Sequence, residues 1–135
     1  AIAEDEIQSA RHVLREGAEV GQMMKVVGEE GTSLDDFLLY LKSNFLDSVY
    51  LQQNGFDKVD AATSTDRQQY VFAKVTEVLD KKFVFDDKKP MRDFFYKLRH
   101  AFIDWNYKEW QSEEFKKHEK EIDELIASSE VVKQA

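Results

Sequence analysis

The chain has 135 residues, 19 of them Lys or Arg and 27 Asp or Glu, for a formal net charge of −8. That charge excludes a surface built to bind nucleic acid or an anionic membrane, because phosphates would be repelled. The absence of Cys excludes disulfides, thiol catalysis and Cys-ligated zinc, and one Pro with five Gly is too few for the many tight turns of a strand-rich fold.

In chain order, Ile7, Ala10, Leu14 and Ala18 recur at helical spacing, with Gly17 as the expected helix end. Val20, Met23, Met24 and Val27 form a short apolar face that closes at Gly28. Residues 29–36, EEGTSLDD, read as an acidic loop. Ser33, with Asp36 three residues on, has the pattern of a capping box and starts a long helix. Its stripe is Leu34, Phe37, Leu38, Leu41, Phe45 and Val49, with a second row of Leu39, Leu46 and Tyr50 beside it. A helix apolar over so much of its circumference is expected to be central. Asn54-Gly55 signals a turn within residues 51–64. Thr63 and Asp66 then cap a helix carrying Tyr70, Val71, Val75, Val78, Leu79 and Phe83. Residues 85–89, FDDKK, read as a polar link, and Pro90 suits a first helical turn. The next helix carries Met91, Phe94, Phe95, Leu98, Phe102 and Trp105. Ser112 caps the last helix, whose inner face is Phe115, Ile122, Leu125 and Ile126, and residues 128–135 are expected to fray. The pattern predicts an all-α protein, a single compact multi-helix domain of five or six helices.

Few residues carry an obvious chemistry. Residues 28–33, GEEGTS, lack the glycine spacing and the Lys of a P-loop, and Glu29 and Glu30 would repel phosphate. Glu114, His118 and Glu121 share a helix face, but interleaved Lys makes a solvated face the stronger reading. Residues 57–66 do not have the ligand pattern of an EF-hand. No nucleophile–base motif is present, so no catalytic or metal residue is assigned. No apolar run reaches the roughly 20 residues of a membrane helix, so direct membrane insertion is not expected. The chain begins without Met, which fits either processing or a piece of a longer chain.

Residues 45–72, FLDSVYLQQNGFDKVDAATSTDRQQYVF, are more specific. Together with QMMKVVGEEGTSLDDFLLYLKSNFLDSVY upstream and RDFFYKLRHAFIDWNY downstream, they resemble the C-terminal helical domain of the catalytic A subunit (alpha chain) of V-type and archaeal-type rotary ATPases. The resemblance covers nearly the whole chain, and its most specific part is LQQNGFDKVDA, residues 51–61. It implies that residues 1–135 are one C-terminal domain of a longer subunit, whose P-loop, catalytic Glu and magnesium ligands precede it. ATP or ADP with Mg would then be bound by the intact subunit and not by this domain alone.

The resemblance implies two local roles. Gln53, Asn54 and Phe56 match a loop that lends the adenine pocket an aromatic wall, with Gly55 where relatives commonly have Ala. Glu29, Glu30, Asp35 and Asp36 match an acidic tip that presses on the rotating central stalk. Implied partners are the non-catalytic B subunits and the central-stalk subunits, in a complex on the cytoplasmic side of a membrane that couples ATP synthesis or hydrolysis to proton or sodium transport. The rival is a stand-alone helical interaction module. A weaker third option is a metal-dependent hydrolase using His118 and Glu114.

Overall fold

The computed structural model describes residues 4–51 and 65–134. Among them are five α-helices and no strand, as the scarcity of Gly and Pro implied. They are α1 (Glu4–Val27), α2 (Leu34–Leu46), α3 (Thr65–Asp80), α4 (Lys88–Asn106) and α5 (Glu113–Gln134), with a π-helical segment, Asp47–Leu51, extending α2. The chain divides between Lys81 and Lys82 into two compact units.

In the first unit α1 and α2 form an antiparallel hairpin, and α3 packs on both. The expected stop at Gly17 is not there: α1 continues through Gly17 and Gly21 for 24 residues. The reason is packing. A Cβ on Gly17 would stand 2.2 Å from Ser43 Cβ, and one on Gly21 would meet the Tyr40 ring at 3.4 Å. The glycines therefore let two helix backbones approach closely. The buried stripe of α1 is rotated accordingly to Ala10, Val13, Gly17 and Val20, leaving Ile7 and Leu14 half-buried and Ala18 exposed. On α2, Phe37, Phe45 and Leu46 are buried, followed by Val49 in the π-helical segment. Leu34, Leu38, Leu39 and Leu41 are half-buried, so α2 is less enclosed than its composition suggested.

Helix α3 buries Val71, Phe72, Val75, Val78 and Leu79. Phe72 takes the inward place expected of Tyr70, which is exposed. Thr76 is also inward, and its hydroxyl donates to the Phe72 carbonyl at 2.8 Å. The expected cap Thr63 lies outside the described residues.

Lys42 was not foreseen as a core residue. It is 7% exposed, and its Nζ donates to the carbonyls of Leu79 at 2.8 Å and Lys81 at 2.7 Å. These groups belong to the last turn and exit of α3, where backbone carbonyls lack helical partners. Nearby, Ser9 Oγ of α1 donates to Asp80 Oδ1 at 2.5 Å. Two helices thus tie down the end of the third.

The second unit is built on aromatic rings. Phe83 is not part of α3, which ends at Asp80; it lies in the following link and packs within 5.1 and 5.5 Å of the Phe94 and Phe95 rings of α4. The expected polar link also buries Phe85, against Phe94. Asp87 caps α4, accepting from the Lys88 N–H at 2.8 Å. Trp105, fully buried, meets Phe102 edge-on and Phe115 of α5 at 4.9 Å. Ser112 caps α5 as expected, accepting from the Phe115 N–H at 3.1 Å. The helix then runs to Gln134 in place of the expected fraying. Ser128 and Ser129 satisfy their hydroxyls on the carbonyls of Leu125 and Ile126, so neither interrupts it.

Candidate functional site

The hairpin of α1 and α2 ends in a turn that is more tightly built than an acidic loop. Gly28 has φ +77°, the left-handed conformation that closes helices, and its N–H donates to the Met24 carbonyl at 2.9 Å. Gly31 and Thr32 donate their N–H groups to the carbonyls of Gly28 and Glu29. Thr32 is buried, and its hydroxyl reaches the Gly28 carbonyl at 3.0 Å. A Cβ on Gly31 would fall 2.7 Å from the Val27 carbonyl oxygen, so the return of the chain requires glycine there. Ser33 Oγ then accepts from the Asp36 N–H at 3.1 Å and begins α2.

This turn holds out the residues matched to the acidic tip. Glu29, Glu30 and Asp35 are exposed, and Asp36 is half-buried. Asp35 and Asp36 also lie in the first turn of α2, where negative charge is favourable. An apolar ledge runs beside them. Val26 is 86% exposed, and Met23 and Val27 are exposed on the same side of α1 at helical spacing. Periodicity groups Met23 and Val27 with Val20 and Met24 in one apolar face; of that set, only Val20 is buried. The ledge escaped sequence reading because valine and methionine look the same whether a neighbour covers them or not.

Gln53, Asn54 and Phe56, matched to the adenine wall, lie outside the described residues. What the structure does give is the mounting of the segment that carries them. It leaves from the π-helical segment Asp47–Leu51, where Val49 is buried and Tyr50 meets Phe72 of α3 edge-on at 4.8 Å. It returns at Thr65, the first residue of α3. π-Helical turns are uncommon and recur beside functional sites.

Among the described residues, no three His, Asp or Glu side chains are grouped to hold a metal ion. The His118 Nδ1 lies 2.9 Å from its own helix's Glu114 carbonyl and 4.0 Å from the Glu114 carboxylate, which suits a helix-surface contact. Lys42 is committed to carbonyls, and its burial holds its pKa below the ordinary lysine value, with Asp80 pulling weakly the other way. No helix among the described residues is long and apolar enough to cross a membrane.

A family model described as the C-terminal domain of V and A type ATP synthase matches residues 5–84. The chain is 52% identical over 123 residues to the V-type ATP synthase alpha chain of Treponema denticola, covering 91% of this chain and 21% of that protein. It is 57% identical over 112 residues to alpha chain 1 of Treponema pallidum, covering 83% and 19%. It is 48% identical over 131 residues to the alpha chain of Borreliella burgdorferi, covering 97% and 23%. The chain thus spans about a fifth of the length of these relatives. No solved structure matches it.

Proposed function

This chain belongs to the family of C-terminal domains of V and A type ATP synthases, and from that membership we propose that it works as the C-terminal helical domain of the alpha (catalytic A) subunit of a rotary ATP synthase or ATPase. In that role it adds no phosphoryl-transfer group of its own. ATP, ADP and magnesium would be held by the rest of the subunit, and the domain would carry motion outward from the nucleotide. The complex would couple ATP synthesis or hydrolysis to proton or sodium transport, peripheral to a membrane on its cytoplasmic side. The partners would be the non-catalytic B subunits and the central-stalk subunits.

The observation that supports this most is the tip. A lever must transmit force without bending, and the tip is hydrogen-bonded internally from Gly28 to Asp36. It is mounted on two helices that pack closely, Gly17 against Ser43 and Gly21 against the Tyr40 ring. It presents acidic groups that can steer a basic or polar shaft, and an apolar ledge that can push on it. Phe56, with Gln53 and Asn54, would contribute the adenine wall. A flat ring stacks on a purine without needing charge.

The test is charge reversal at the tip. In the assembled complex, changing Glu29, Glu30, Asp35 and Asp36 together to Lys is expected to lower ion pumping per ATP, or stalk assembly, far more than nucleotide affinity. Unchanged assembly and pumping at full ATPase rate would leave the four residues as solvated helix-capping charges only.

A further inference from the structure

The outward side of α4 differs from every other exposed helix face in the second unit. The helix carries five basic residues against two aspartates, in a chain whose net charge is −8. Its inward side is the apolar row from Met91 to Trp105. Opposite that row, at intervals of three and four residues, come exposed Tyr96 and His100 with half-buried Arg99 and Ile103, and exposed Tyr107 one turn beyond. Tyr96 is 58% exposed and Tyr107 67%. The Arg99 guanidinium lies 5.4 Å from the centre of the Tyr96 ring, and the His100 ring meets the same ring edge-on at 4.5 Å. These side chains are already gathered into a cluster. Lys89 is paired locally with Asp93 at 2.9 Å, which leaves Arg92, Lys97 and Arg99 as the cations further along the helix, with Asp104 one turn past His100.

Helix α5, in the same unit, has an exposed face of a different composition. Its exposed residues include Lys116, Lys117, Lys120, Glu121, Asp123 and Glu124, with both signs mixed and no aromatic. Tyr and Arg are the types that concentrate binding energy at protein interfaces, whereas Lys, Glu and Asp are depleted there. An arginine stacked on a ring keeps its planar fork oriented and can take a carboxylate through two hydrogen bonds.

From this we propose that the Tyr96–Arg99–His100 face of α4 is a docking surface for an acidic segment of a protein partner. Charge complementarity selects the occupant. A long polyanion such as nucleic acid, or a phosphate-rich lipid surface, would meet the chain's overall negative charge, whereas a short Asp- or Glu-rich stretch needs to meet only this face. The stripe from Lys89 to Tyr107 is about 27 Å long at the rise of an α-helix, enough for a short helix or an extended strand of partner.

The experiment uses the full-length subunit in its assembled complex, and rests on the proposed ATP synthase role only for that setting. A benzophenone amino acid replaces Tyr107, the complex is irradiated, and the adduct is mapped by mass spectrometry. The expected adduct lies on an Asp/Glu-rich peptide of another subunit. Arg99→Glu should reduce its yield about tenfold, as loss of an interfacial charge pair does, and Arg99→Gln should reduce it less, both with an unchanged melting temperature. Adducts only to lipid or nucleic acid, an adduct on a peptide without net negative charge, no adduct, or a yield indifferent to both Arg99 variants would each overturn the proposal. Whether the other ATP synthase subunits co-purify with the unmodified subunit separately tests the assembly role, so the two failures are told apart.

Discussion

Replacing Lys42 by Met tests the three-helix junction most directly. Methionine keeps the length and flexibility of the stem but removes the ammonium. Two charge-assisted hydrogen bonds are lost, to the carbonyls of Leu79 and Lys81. The Lys81 backbone is only partly buried and can turn to water, whereas the Leu79 carbonyl contact is buried. An orphaned buried acceptor costs about 1–3 kcal/mol. Relief from burying the ammonium offsets only a small part of this, because the two carbonyls already compensate most of its desolvation in the folded state. We expect a net loss of about 2 kcal/mol, or roughly 6–10 °C in Tm for a chain of this size. Thermal melting followed by circular dichroism at pH 7 measures it. The pH dependence has a definite sign. Burial lowers the folded-state pKa of Lys42 beneath 10.5, with Asp80 opposing. Below the folded value the amine is protonated in both states, and the contribution does not vary with pH. Between the folded value and 10.5, the unfolded chain holds a proton that the folded chain has released, so stability rises with pH. The gap between wild type and Lys42→Met should therefore widen as pH climbs toward 10.5. A variant as stable as wild type at pH 7, or a gap that narrows with pH, would refute the reasoning.

Two further predictions concern glycine packing and the adenine wall. Gly17→Ala should destabilise by about 1–2 kcal/mol, because overpacking against Ser43 outweighs the roughly 1 kcal/mol that alanine gains in helix propensity; urea unfolding of Gly17→Ala with and without Ser43→Gly should show recovery in the pair, and a stabilised single variant would refute close helix contact. In the full-length subunit, Phe56→Ala should raise KM for nucleotide by the equivalent of about 1–3 kcal/mol with little change in kcat, since a ring stacked on the base contributes equally before and during the chemical step. Phe56→Tyr or Phe56→Trp should recover most of it, and a large fall in Tm with unchanged nucleotide affinity would instead make Phe56 a core residue.

Much of this protein is local in origin and was legible in the residue order. The inner face of α4 and most of those of α3 and α5 follow from 3.6-residue periodicity, Tyr70 excepted, and the starts at Ser33 and Ser112 from side chains that reach only three residues along the chain. The family was legible too, because residues 51–61 form a specific run. Tertiary structure decided what depends on a neighbour distant in sequence. Gly17 reads as a helix end until Ser43, 26 positions on, occupies the space its side chain would need. Lys42 reads as a solvated charge until the carbonyls of Leu79 and Lys81 arrive to satisfy its amine. Phe83 and Phe85 read as a helix edge and a polar link until rings from α4 enclose them. The exposed Val26 ledge and the Tyr96–Arg99 cluster are the converse. Periodicity counts apolar or charged residues on a face, but only the packed chain shows which faces folding leaves uncovered.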